Sequence, residues 1–149
     1  MGRDFDPVPV LSGEREFHEA QVTAGMRQTD PNWRWTGTAI PSHKPPFRSV
    51  FVGKDGKLWL WLRNPGIEEP NPDYDPATGE QASTMWNEAV SFDVFEPDGR
   101  YLGRVDAPPE FTTSPMPIFD ADGVWSVTRD DLNVQRVVRF ALRIISVAP

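Results

Sequence analysis

Polar and apolar positions follow two different periods along this chain. Between Ser12 and Asp30, Phe17, Ala20 and Ala24, joined by Met26, fall at the spacing of one helical face. Ser12 stands where an N-cap would, and Glu14 and Glu16 lie in the first turn, where the helix dipole favours acids. Gly25 weakens the end of this helix and Asp30-Pro31 stops it. The flanks are irregular. Residues 1–12 are extended and proline-punctuated, and residues 31–47 carry Pro41, Pro45 and Pro46 after Pro31, which predicts loop.

From Phe47 the pattern changes to short apolar runs separated by turn signals. Ser49–Val52 leads through Gly53-Lys-Asp-Gly56 into Lys57–Leu62. Ala89–Phe95 leads through Glu96-Pro-Asp-Gly99 into Arg100–Val105, and Met116–Phe119 through Asp120-Ala-Asp-Gly123 into Val124–Thr128. An Asp-Gly pair between apolar runs is a strong hairpin signal. A last strand, Val134–Leu142, follows a turn at Asp130–Asn133. The C-terminal two thirds therefore reads as antiparallel β.

The first and third hairpins match best in sequence, with Gly56 and Gly123 separated by 67 residues. Between them lies a proline- and acid-rich stretch, 65–87, which reads as an insertion of roughly 15–20 residues. Without it the period is on the order of 45–50, near that of a β-propeller blade. Strands near 48–52, 57–63, 88–96 and 100–106 would form one blade, and strands near 115–119, 124–129 and 134–142 most of a second. Leu58-Trp59-Leu60-Trp61-Leu62 is apolar on both faces, as a strand between neighbouring blades must be. A central strand of an ordinary two-sheet sandwich explains that run equally well.

Composition agrees with many short elements. The 149 residues include 16 Pro and 11 Gly, about 18% against roughly 12% in average usage. Length predicts one domain by size. No apolar run approaches the roughly 18 residues of a membrane span. The first residues lack a basic start and an apolar h-region, so no signal peptide is read in this chain. With no cysteine there are no disulfides or thiolate sites. The net charge of −7 and the scattered Arg and Lys argue against a nucleic-acid partner.

The β segments resemble a family. Phe47-Arg-Ser-Val-Phe-Val-Gly-Lys-Asp-Gly-Lys-Leu-Trp-Leu resembles the opening of a blade in bacterial six-bladed β-propeller proteins of the NHL-like or TolB-like type. Phe92–Val105 with Pro108-Pro-Glu-Phe111 is similar to the strand, Pro-Asp-Gly turn, strand and Pro-Pro-x-Phe link that lead to the next blade. Trp125–Phe140 resembles a terminal blade. The resemblance covers residues 40–142. It implies an all-β fold of about two four-stranded antiparallel blades from a six-bladed ring (47–149), behind a helical or irregular extension (1–46). A whole ring needs roughly 250–280 residues at this repeat length. The expectation is therefore a fragment of a larger propeller, whose remaining blades, or further copies of this chain, cover the open faces. The family points to an exported or periplasmic protein, although nothing in this chain fixes a compartment.

Chemistry is sparse. His18 and His43 stand far apart with no metal-ligand spacing. Asp73, Asp75 and Glu80 share a loop that fails the calcium-loop pattern, with Ala at the fifth position and Gly displaced to the seventh. No nucleophile elbow, phosphate loop or dinucleotide fingerprint is present. Ser49 and Ser126 lie in strands without a nearby base. No catalytic residue, metal site or cofactor is assigned. Rim loops commonly carry recognition, so Tyr74, Met85 and Trp86 of the insertion are the binding candidates, with Trp86 equally suited to anchoring the loop. The expected function is a non-catalytic binding or scaffold module for a protein, peptide or glycan. The alternatives are a propeller-type metal-dependent hydrolase or lactonase with its catalytic residues mostly outside this chain, and a self-assembling structural protein.

Overall fold

A computed structural model describes residues 5–78, 82–130, 132 and 134–142. Among the described residues the chain forms one helix, α1 (Ser12–Arg27), and nine strands. The strands are β1 (Phe47–Val52), β2 (Leu58–Leu62), β3 (Gly66–Pro70), β4 (Thr84–Glu88), β5 (Ser91–Phe95), β6 (Tyr101–Asp106), β7 (Ile118–Asp120), β8 (Gly123–Arg129) and β9 (Gln135–Ala141). All strand pairs are antiparallel. Two compact units result among the described residues: a β unit of Phe47–Leu62 and the chain from Val90 to Leu142, and a second unit of Phe5–Pro46 with Arg63–Ala89. The expected extension and insertion thus belong to one unit.

The β unit contains a four-stranded sheet, β1-β2-β5-β6, and a three-stranded sheet, β7-β8-β9. Although β3 and β4 intervene in sequence, β5 still pairs directly with β2, Trp59 opposite Val94 and Trp61 opposite Phe92. The first two hairpins turn in the same way. Gly53 and Glu96 each donate an N–H to the carbonyl of the residue four positions on, and Gly56 and Gly99 hold φ of 82° and 87°. That left-handed position suits glycine. In both turns the Asp side chain accepts the N–H two residues on, Asp55 from Lys57 and Asp98 from Arg100. The third hairpin departs from this pattern, because Ala121 and Asp122 alone join the paired residues Asp120 and Gly123. There glycine is required by crowding: a Cβ on Gly123 would sit 2.8 Å from the Phe140 carbonyl oxygen.

The core lies between these two sheets. Trp59, Phe92 and Val94 from the first meet Phe119 and Val124 from the second, and all are buried. The Phe119 ring stands 4.7 Å from Trp59, 5.2 Å from Phe51 and 5.3 Å from Phe92, centroid to centroid. Burying each such ring contributes roughly 1.5–3 kcal/mol. The link between the sheets closes the core, since a turn from Pro108 to Phe111 puts Phe111 against Phe92 and Phe140. Strand alternation sends the intervening residues to the opposite faces. Those outer faces carry exposed apolar residues, Val50 and Val52 on the first sheet and Ile118, Trp125 and Val137 on the second, with Val52 69% and Val137 71% exposed, beside buried Ser91 and Asp93 on β5 and Arg139 over the Trp125 ring.

The second unit is organised differently. It holds α1 and the β3–β4 ribbon, and a bridge pairs Pro9 with His43. The helix starts at Ser12, but Leu11 occupies the cap and no side chain caps it. Its carbonyl accepts the Arg15 N–H at 2.9 Å, which places Ser12 inside the first turn. The expected apolar face is also corrected. Ala20, Ala24 and Met26 are exposed, Phe17 is half-buried, and the buried helical residue is Glu14. The expected turn at Asp130–Asn133 lies partly outside the described residues, as does the chain after Leu142.

Candidate functional site

The β3–β4 ribbon has two unlike faces, set by the two-residue alternation of its strands. Gly66 pairs with Glu88, Glu68 with Trp86, and Glu69 with Met85. Trp86 and Glu88 therefore share one face with Gly66, whereas Met85 and Asn87 share the other with Ile67 and Glu69. The structure places Met85 and Trp86 on opposite sides and so does not join them in one surface.

Trp86 is half-buried against small residues. A Cβ on Gly13 would lie 2.9 Å from its ring, and one on Gly66 also 2.9 Å. Glycine at both positions lets the indole lie flat between the first turn of α1 and β3. Tyr74, in the loop that follows β3, is 40% exposed. On the outward face Ile67 is 50% exposed beside half-buried Met85, and Asn87 Nδ2 donates to Glu69 Oε2 at 2.8 Å. Ile67 becomes recognisable as a surface residue only once the register is known, since the sequence marks it merely as apolar. Asp73 and Asp75 are exposed turn residues: the Asp73 N–H donates to Asn71 Oδ1, and the Asp75 carboxylate accepts the Ala77 N–H; Glu80 lies outside the described residues.

Beneath the inward face lies a charge network. Lys44, 5% exposed, spends its three ammonium donors on Glu14 Oε1 at 2.6 Å, the Asn64 carbonyl at 2.9 Å and Glu88 Oε1 at 3.0 Å. Arg63 Nη2 also reaches Glu88 Oε1, at 2.6 Å, and the Asn64 N–H donates to Glu88 Oε2 at 3.0 Å. Asn64 Nδ2 donates to the Ala89 carbonyl at 2.7 Å. Two acids and two bases balance, so burial leaves no net charge. Glu14 Oε2 and the Nε atoms of Arg15 and Arg63 remain without partners among the described residues. The network ties the first turn of α1, the 41–46 loop and the open end of the ribbon together, where β3 begins and β4 ends. None of its members stood out in the sequence as buried, because Lys44 and Arg63 look there like scattered surface charges.

Several other polar groups are occupied by structural bonds. Ser126 is buried and its hydroxyl donates to the Thr112 carbonyl at 2.6 Å. Buried Asp93 accepts the Tyr101 hydroxyl at 3.0 Å. His43 Nδ1 lies 3.1 Å from Ser42 Oγ, and the His18 ring stacks edgewise on Phe17. Three groups shift their titration. Desolvation would raise the Asp55 carboxyl, but hydrogen bonds from the Lys57 side chain and backbone outweigh it and lower it from 3.8. The same pair raises Lys57 above 10.5. Arg139, 2.6 Å away, lowers Asp122. All three belong to hairpin turns or their flanks, so they are stabilising pairs. Among the described residues no group of three His, Cys, Asp or Glu side chains is placed to hold a metal ion. Nor is any described helix long and apolar enough to cross a membrane.

Comparison with protein-family models, with curated proteins and with solved structures finds no match to this chain.

Proposed function

We propose that this chain is a non-catalytic binding or scaffold module of β-propeller type. Its four-stranded meander would be one blade and its three-stranded sheet most of the next, from a six-bladed, NHL-like ring. Recognition of a protein, peptide or glycan falls to the ribbon and loop inserted between β2 and β5. One observation carries this reading. The β2–β5 ladder keeps its register although a separate folded ribbon is spliced into the connection. An element that the sheet does not need for its own pairing is free to serve recognition. The apolar residues exposed on the outer faces of both sheets, Val50, Val52, Ile118, Trp125 and Val137, support the blade assignment, because such side chains suit packing on another sheet. They also support covering by further blades or by further copies of the chain.

Screening the purified protein against a peptide-display library and a glycan array tests recognition. The reading expects ligands whose binding falls at least about fivefold in Tyr74→Ala or Met85→Ala, each exchange removing an aromatic or thioether contact worth about 1 kcal/mol. Elemental analysis of the same preparation tests the enzyme alternative. A stoichiometric bound divalent cation together with lactone hydrolysis would replace the scaffold reading with that of a metal-dependent hydrolase.

A further inference from the structure

The exposed side of α1 forms an open groove of about 460 Å³, lined by Glu16, Glu19, Ala20, Thr23, Arg27 and Trp35 among others. Small side chains form its floor, and Trp35 is its one aromatic wall. That wall is braced. Trp35 Nε1 donates to the Thr38 carbonyl at 3.3 Å, and Trp33 meets the ring edgewise at 6.1 Å. Arg27 Nε in turn holds the Trp33 carbonyl at 3.1 Å. Trp35 nevertheless keeps 38% of its surface exposed.

Charge shows what such a groove accepts. The unit that contains α1 has eleven acidic and five basic residues, a net of −6, which leaves −1 for the β unit. The buried network of Glu14, Lys44, Arg63 and Glu88 is neutral, so the whole excess lies outside it. Within the groove Glu16 and Glu19 make no ion pair or hydrogen bond with any described residue. A negative field steers cations toward it, and a groove that offers both an aromatic wall and two carboxylates suits an ammonium or guanidinium group.

We propose that this groove docks a basic peptide segment, with a Lys or Arg side chain against Trp35 and its charge near Glu16 and Glu19. Arg27, held on the Trp33 carbonyl, marks the end of the groove away from Glu16 along the helix, and a second cation is disfavoured there. From Glu16 to Arg27 the helix runs about 16 Å, which an extended segment of about five residues spans. This site lies on a different element from Tyr74 and Met85, so its failure would leave the reading of the ribbon loop untouched.

Fluorescence anisotropy of a labelled hexalysine peptide with the full chain at low ionic strength is the test. Saturable binding that weakens with added salt is expected. Glu16→Gln/Glu19→Gln should weaken it about four- to twenty-five-fold, at about two- to fivefold for each exposed ion pair. Trp35→Ala should weaken it about two- to fivefold, and Trp35→Phe, which keeps an aromatic face, by less. Asp73→Asn/Asp75→Asn removes the same charge from the ribbon loop of the same unit and should change affinity less than about twofold. Circular dichroism checks that each variant keeps the helix. The proposal is overturned by absence of saturable binding. It is equally overturned by matching losses in the two double variants, which would mean diffuse charge attraction, or by insensitivity to Trp35→Ala.

Discussion

Lys44→Met isolates the buried network. Methionine keeps the aliphatic stem and removes only the ammonium, so packing is largely preserved. Three hydrogen bonds disappear, to Glu14 Oε1, the Asn64 carbonyl and Glu88 Oε1. Glu88 retains Arg63 and the Asn64 N–H, and so bears little of the loss. Glu14 retains nothing: its side chain is 3% exposed and its second oxygen already lacks a partner. Removing one member of a buried ion pair costs roughly 3–5 kcal/mol, because an uncompensated charge is left behind. Adding Glu14→Gln neutralises that charge at the lower cost of an unsatisfied amide, about 1–3 kcal/mol. The double variant should therefore recover about 2 kcal/mol relative to Lys44→Met alone. Native-state hydrogen exchange reads this locally, through the amides of α1 and β4. A loss in Lys44→Met below about 1 kcal/mol, or a double variant no better than the single one, would refute the argument.

Two glycines should respond in opposite directions to alanine. Gly25 lies in the helix with nothing within 4 Å of a new Cβ, so Gly25→Ala should raise stability by about 0.5–1 kcal/mol in urea unfolding. Gly123→Ala forces a Cβ to 2.8 Å from a backbone oxygen and should cost about 1–3 kcal/mol by the same measurement. The Asp55–Lys57 pair predicts a pH window. The lowered Asp55 contributes stability above its unfolded value of 3.8 and loses it as pH falls through the folded value. The raised Lys57 contributes below 10.5 and loses it as pH rises through its folded value. The stability difference between wild type and Asp55→Asn should thus be flat between these limits, at no more than about 1 kcal/mol, and shrink on both sides. A difference unchanged at pH 3 would contradict the assignment.

The β unit was largely legible in the sequence because its signals are local. Asp-Gly turns and flanking apolar runs set β1, β2, β5, β6, β7 and β8 to within a few residues, and Gly56 and Gly99 take the left-handed positions those turns demand. The likeness between the first and third hairpins was only sequence-deep: Asp120–Gly123 closes with a shorter loop, and its glycine answers crowding by Phe140. In the second unit, tertiary context overrode the local pattern. A helical apolar stripe at Phe17, Ala20 and Ala24 predicts a buried face, yet the helix is anchored through Glu14. Its partner Lys44 lies 30 positions away, and Glu88, the second acid on Lys44, lies 44 positions beyond that, separations no periodicity encodes. Residue type alone points to Tyr74, Met85 and Trp86, whereas strand alternation puts Met85 and Trp86 on opposite faces.

The central claim, that both sheets of the β unit are built to be covered on their outer faces, is tested most directly by the solution mass of the chain. Light scattering coupled to size exclusion should find association that Val52→Glu/Val137→Glu abolishes, since each exchange puts a charge on an apolar face that packing would bury. A stable monomer at about 100 µM with native circular dichroism would contradict the claim, because outer faces at rest in water need no neighbouring blade.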